Sequence, residues 1–127
     1  VPARYCPQEE LFEVSDFISL HCPAAPETRH LVNAATLSKM KSTAFLLNTA
    51  RGDVVNESEL VAALQQGVIA GAGLDVFAVE PLPKESPLWS MPRVIVSPHS
   101  SGTTDRSIRR TEDAFIENLR AEVESPS

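Results

Sequence analysis

The chain has 127 residues, enough for one ordinary domain and too few for two. Its 43% hydrophobic and 22% charged residues exclude a disordered segment, and a net charge of −6 argues against nucleic acid or an anionic membrane as principal partner. An anionic cofactor stays open, because backbone N–H groups and one or two cations can hold phosphates locally. Cys6 and Cys22 form no CxxC pair, and His21, His30 and His99 lack metal-ligand spacing. No disulfide and no metal site are therefore expected, and a reducing, cytoplasmic setting fits. There is no basic segment followed by an apolar leader core, and no apolar run of transmembrane length.

In chain order, an irregular start gives way to Pro7–Val14, which predicts a short helix. Phe17–Leu20 is a compact apolar run closed by His21-Cys22-Pro23 and predicts a buried strand. Asn33 is placed to cap a helix over Ala34–Met40, with Leu37 and Met40 on one face. Ala44–Ala50 predicts the next strand. Asn56 followed by Glu59 resembles a capping box for a helix that buries Leu60, Val61 and Leu64 and stops at Gly67. Ile69–Phe77 predicts a third strand, the proline-rich stretch Glu80–Arg93 a loop, and Val94–Val96 a fourth strand. Thr103 or Thr104 opens a long charged helix with Ile108, Phe115 and Leu119 available to pack.

Strands alternating with helices at this spacing imply βαβ units, hence an α/β fold with a parallel, Rossmann-type doubly wound sheet. Nearly continuous apolar strands imply a sheet covered on both faces. A dinucleotide fold normally opens with a strand, a GxGxxG turn and a helix. Here Gly71-Ala72-Gly73 lies inside a strand without a third glycine, so the sequence reads as the second half of such a fold without its first βαβ unit.

Arg51, Glu80 and His99 each fall at or just past an apolar strand. The carboxyl ends of parallel strands line one crevice where ligands bind. A guanidinium matches a carboxylate bidentately, and imidazole exchanges protons near neutral pH. Taken singly, Arg51 equally fits a surface partner for Asp53, Glu80 a solvated loop carboxylate, His99 a satisfied strand-end histidine and Asp75 a cap for a neighbouring turn. Cys22 suits a packing role, and His21 and His30 structural or exposed ones.

Four motifs make the pattern specific. His21-Cys22-Pro23 through Pro26-Glu27-Thr28-Arg29-His30-Leu31 resembles the HxPxxPxTxxL signature of the D-isomer-specific 2-hydroxyacid dehydrogenases. Asn48-Thr49-Ala50-Arg51-Gly52 resembles that family's NxxRG motif. Leu74-Asp75-Val76-Phe77 with Glu80-Pro81 resembles its DVFxxEP motif, and Pro98-His99 its PH motif. All four arrive in family order over residues 16–104. Relatives include phosphoglycerate, D-lactate, glycerate, glyoxylate/hydroxypyruvate and formate dehydrogenases, built from a substrate domain and a Rossmann-type cofactor domain.

The resemblance implies hydride transfer between a nicotinamide cofactor, NAD with NADP left open, and a small 2-keto or 2-hydroxy acid. Arg51 would bind the substrate carboxylate, His99 would exchange a proton with the carbonyl oxygen, and Glu80 would orient His99. Asp75 would meet the nicotinamide carboxamide, and Pro23, Asn48, Thr49, Ala50, Arg51 and His99 would border the cofactor. The family also implies a homo-oligomer, a dimer in its typical members.

Against the family pattern, the chain is expected to begin at the equivalent of the third cofactor-domain strand, near Ala3–Cys6. The glycine turn and the substrate domain are then absent, and the C-terminal helix is cut off near Glu124-Ser125-Pro126-Ser127. His99 is followed by Ser100-Ser101-Gly102 where many members carry an apolar residue and then Gly or Ala. An isolated chain of this kind is expected to be an incomplete, inactive portion, marginally stable or self-associating through its bare strand edge. The alternative is an NADH-responsive, corepressor-like binding protein of the same fold. Those carry a Trp shortly after the histidine, whereas Ser100–Thr104 contains none and Trp89 lies upstream.

Overall fold

In the computed structural model, which describes residues 3–124, four strands alternate with helices. The order is α1 (Gln8–Val14), β1 (Phe17–Leu20), α2 (Ala34–Leu37), β2 (Phe45–Asn48), α3 (Glu57–Gln65), β3 (Gly71–Leu74), β4 (Val94–Val96) and α4 (Ser107–Glu124). The sheet is parallel throughout, in the order β1-β2-β3-β4, with Phe17 opposite Phe45, Phe45 opposite Gly71, and Ala72 opposite Val94. The α/β class therefore stands, and all four carboxyl strand ends emerge on one edge.

Burial alternates along the strands. Ile18, Leu20, Leu46, Ala72 and Leu74 are buried and share a core with Phe12, Val32, Leu37, Leu60 and Ala63. Each large apolar side chain taken out of water there contributes roughly 1.5–3 kcal/mol. The opposite face is open: Phe17 is 67% and Ile95 74% exposed, and Phe17 stacks on Phe45 with ring centroids 5.6 Å apart. The expected cover on both faces is thus not made within residues 3–124. Apolar runs register hydrophobicity, whereas burial here follows the two-residue pleat.

Helix ends follow local chemistry. Asn33 Oδ1 accepts from the amides of Ala35 and Thr36, while Thr36 Oγ1 accepts from the Asn33 amide, which makes a reciprocal capping box. Asn56 caps α3 by accepting from the Glu59 amide, but the Glu59 carboxylate turns away to the Ala34 amide. The box expected at Asn56 is therefore only half formed, because Glu59 meets a free amide at the start of α2 instead. Gly67 takes a φ of 68° just past Gln66, the cap of α3.

Several boundaries contract. Helix α2 stops at Leu37, after which Lys39 and Met40 donate to Thr36 and Leu37 in tighter three-residue turns that still bury Met40. Strand β3 covers Gly71–Leu74, not Ile69–Phe77, although Ile69, Val76 and Phe77 are buried. A 3₁₀ turn, Pro87–Trp89, interrupts the expected loop, anchored by buried Leu88. Ala3–Cys6 forms no strand, having no ladder partner. Ser125–Ser127, at the expected truncation, lie outside the described residues.

The largest correction concerns α4. It begins at Ser107, where the hydroxyl accepts from the Thr104 amide, and its apolar side chains do not pack as expected. Ile108, Phe115 and Leu119 are 68%, 67% and 53% exposed. A helical period shows which face is apolar but not what covers it. No helix among the described residues is long and apolar enough to cross a membrane.

Candidate active site

Strand β2 ends at Asn48, whose side chain is 1% exposed and turned entirely to the backbone beyond it. Its Oδ1 accepts from the Ala50 amide at 3.1 Å and its Nδ2 donates to the Arg51 carbonyl at 3.0 Å. These two bonds fold Thr49–Arg51 over the strand end and leave the Arg51 side chain exposed, with Nη1 donating to the Ala50 carbonyl at 2.6 Å. Arg51 makes no ion pair with Asp53 among the described residues, so the surface-partner alternative is not realised.

Gly52 decides how closely this turn approaches the next one. A Cβ at position 52 would lie 1.9 Å from the Phe77 carbonyl oxygen and 2.2 Å from its carbon. Only hydrogen fits there. The Arg51 turn therefore abuts the Phe77–Ala78 backbone, the segment that leads to Glu80. Glu57 steadies the same segment, its carboxylate accepting from the Ala78 amide at 3.0 Å.

Glu80 and His99 meet directly. Glu80 Oε2 lies 2.8 Å from His99 Nδ1, and Oε1 accepts from the Phe77 amide at 3.0 Å. Their side chains are 36% and 47% exposed, so the pair is open to a ligand. The His99 hydrogen bond holds the Glu80 carboxyl below its ordinary range, aided by the Phe77 amide. Burial opposes this, and the charges of His99 and Arg51 reinforce it. With Nδ1 engaged by a carboxylate, Nε2 is the ring nitrogen left for a substrate.

Asp75, just past β3, is 2% exposed. Its carboxylate accepts from Ser97 Oγ at 2.5 Å and from the Ser100 and Ser101 amides at 2.9 Å each. Burial pushes its pKa up, but the Ser97 and Ser101 side chains and the two amides outweigh burial and hold it well below the usual 3.8.

This predicts acid sensitivity with a definite sign. Folded-state pKa values of Asp75 and Glu80 are depressed from 3.8 and 4.5, so their stabilisation is complete above those values and lost as pH falls through and below them. Urea unfolding should give steady stability down to pH of about 5 and a decline below about 4.5. Asp75→Asn should cost about 2–3 kcal/mol at pH 7 and flatten the decline. An acid profile identical in both proteins would remove Asp75 as its cause.

Pro23, Thr49, Ala50 and Arg51 line a cleft of about 570 Å³ with His21, Cys22 and Ala24, between the ends of β1 and β2. Its lining sets the small Cys22, Ala24 and Ala50 beside the polar Thr49, His21 and Arg51, an opening whose size suits a flat ring and its ribose. A glycine turn opening a helix, the usual pyrophosphate cradle, does not occur among the described residues. The size and polar lining of the cleft fit the nicotinamide end of a dinucleotide. Asn48 and Asp75 stand behind this edge rather than in the cleft, both buried.

Residues 1–101 match the model of the D-isomer specific 2-hydroxyacid dehydrogenase family, NAD binding domain. The chain belongs to that family. Among relatives of this dehydrogenase domain, glyoxylate/hydroxypyruvate reductase B of Citrobacter koseri is 46% identical over 117 residues, covering 92% of this chain and 36% of that protein. The D-isomer specific 2-hydroxyacid dehydrogenase of Xanthobacter autotrophicus Py2, solved with NADPH and MES, superposes with a TM-score of 0.82 at 42% identity, over 93% of this chain and 48% of that one. The enzyme of Lactobacillus delbrueckii ssp. bulgaricus, in its NAD complexed form, gives 0.86 at 31% identity, over 96% and 41%. The chain spans only about a third of the length of the curated relatives it matches.

Of the expected site residues, the dehydrogenase domain brings Glu80 and His99 into contact and sets Arg51 with Pro23, Thr49 and Ala50 around one cleft. Sequence reasoning passed over Gly52 as a close-approach position, Glu57 as an anchor and Ser97 as the Asp75 partner. The glycine lay within a quoted motif, whereas the other two carry no local signal.

Proposed function

We propose that this chain furnishes the catalytic side of an NAD(P)-dependent D-2-hydroxyacid dehydrogenase that reduces a small 2-keto acid of the glyoxylate or hydroxypyruvate type. The 2.8 Å contact between Glu80 and His99 carries the reading, set beside an exposed arginine on the same sheet edge. The relatives above are dehydrogenases and reductases and lend no support to the corepressor-like alternative.

Arg51 takes the substrate carboxylate on its planar fork and draws the keto carbonyl toward the guanidinium. His99 Nε2–H gives its proton to the carbonyl oxygen in reduction and recovers it in oxidation. Glu80 keeps the ring in place through Nδ1 and stabilises its protonated form. A nicotinamide held by the residues of the cleft would supply or accept the hydride at the carbonyl carbon. Pro23, Thr49 and Ala50 would border its ring and ribose and Asn48 would shape the turn beneath it, whereas Asp75, its carboxylate buried and already accepting three hydrogen bonds, would act from behind the edge. The phosphate cradle and the substrate domain would come from sequence beyond these residues.

Titration with NADH, read by quenching of Trp89, tests the cofactor half of the reading. Saturable binding by the full-length protein that also reduces glyoxylate is the expected result. Absence of both in a folded full-length protein would overturn it.

A further inference from the structure

His99 sits at a φ of 51°, a left-handed conformation that a residue with a Cβ adopts only when its surroundings impose it. The surroundings here are specific. The His99 amide donates to the Asp75 carbonyl at 2.8 Å and to the Ser97 carbonyl at 3.1 Å. The next two amides, of Ser100 and Ser101, donate to the Asp75 carboxylate. Successive N–H groups of one turn therefore converge on a single residue of the neighbouring strand end. That carboxylate is in turn held by Ser97 Oγ, two residues before His99, on the same oxygen that receives the Ser100 amide.

We propose that Ser97 is a positioning residue for His99, acting through Asp75: its hydroxyl aims the Asp75 carboxylate at the Ser100 and Ser101 amides, and the closed turn holds His99 left-handed with Nδ1 against Glu80. The inference rests on the proposed role of His99 and adds a device for it. Glu80 fixes the ring from the side, and the Ser97–Asp75 pair fixes the backbone that bears it. Neither Ser97 nor the two serine amides touches the substrate in this account. The Ser100-Ser101 sequence contributes its two main-chain N–H groups to the clamp.

The test uses Ser97→Ala and Ser97→Thr, the second of which keeps a hydroxyl. Amide hydrogen exchange on the full-length protein should show the Ser100 and Ser101 amides exchanging at least about tenfold faster in Ser97→Ala, with the β2 and β3 amides unchanged and Ser97→Thr close to wild type. In the full-length protein, Ser97→Ala should lower kcat for glyoxylate about tenfold with KM and NADH affinity within twofold of wild type, and Ser97→Thr should restore it. Unchanged exchange at Ser100 and Ser101, or acceleration spread over the whole sheet, would overturn the clamp. So would an unchanged kcat in Ser97→Ala where His99→Ala is inactive. Full activity in His99→Ala would instead overturn the role of His99, and the exchange result would then report on the turn alone.

Discussion

His99→Ala in the full-length protein is expected to lower kcat for keto-acid reduction about 10²–10⁴-fold, the usual contribution of a positioned proton donor. NADH affinity should stay within a few-fold of wild type. Both halves follow from where His99 sits. Its ring is 47% exposed at the mouth of the site and belongs to no core cluster, so removing it opens no cavity. The 570 Å³ cleft assigned to the nicotinamide is lined by residues of the β1 and β2 ends, not by His99. Steady-state rates with hydroxypyruvate, paired with fluorescence titration of NADH, separate the two effects. A variant that turns over normally would take His99 out of the chemistry. One that loses NADH binding and turnover equally would move it into the cofactor site.

Arg51→Gln should reduce kcat/KM for the keto acid about 10²–10³-fold, the scale of two lost charge-assisted hydrogen bonds. Most of the loss should appear in KM if the fork binds ground state and transition state alike, with the remainder in kcat reflecting carbonyl polarisation. Arg51→Lys should recover only a part, since an ammonium is a point charge without the bidentate geometry. The fold should tolerate either change, because the side chain is exposed and the turn beneath it is tied by Asn48, through the Ala50 amide and the Arg51 carbonyl. Equal KM values in wild type and Arg51→Gln would show that the substrate carboxylate is held elsewhere.

The parts of the site that were legible in the sequence are those where a side chain acts within a few residues of its own strand end. Asn48 through Gly52, Asp75 through Glu80, and His99 all stand at the ends of apolar runs, and a parallel sheet gathers such ends on one edge. What was not legible depends on tertiary meetings. Ser97 pairs with Asp75 across 22 positions, and Glu57 with Ala78 across 21. No local period or propensity marks either pair. The capping box gives a smaller instance: Asn56 and Glu59 had the right spacing, yet the complete box formed at Asn33 and Thr36 because the Glu59 carboxylate found the Ala34 amide 25 residues away. Helix α4 shows the same limit from the packing side, its apolar stripe correctly placed on one face and left exposed.

Reduction of hydroxypyruvate with NADH deuterated at the transferring C4 position of the nicotinamide, followed by product analysis by NMR and chiral chromatography, tests the central claim most directly. The wild-type full-length protein is expected to form D-glycerate carrying deuterium at C2, and His99→Ala sharply less of it. Unlabelled product, L-glycerate, or equal labelled product from both proteins would contradict it.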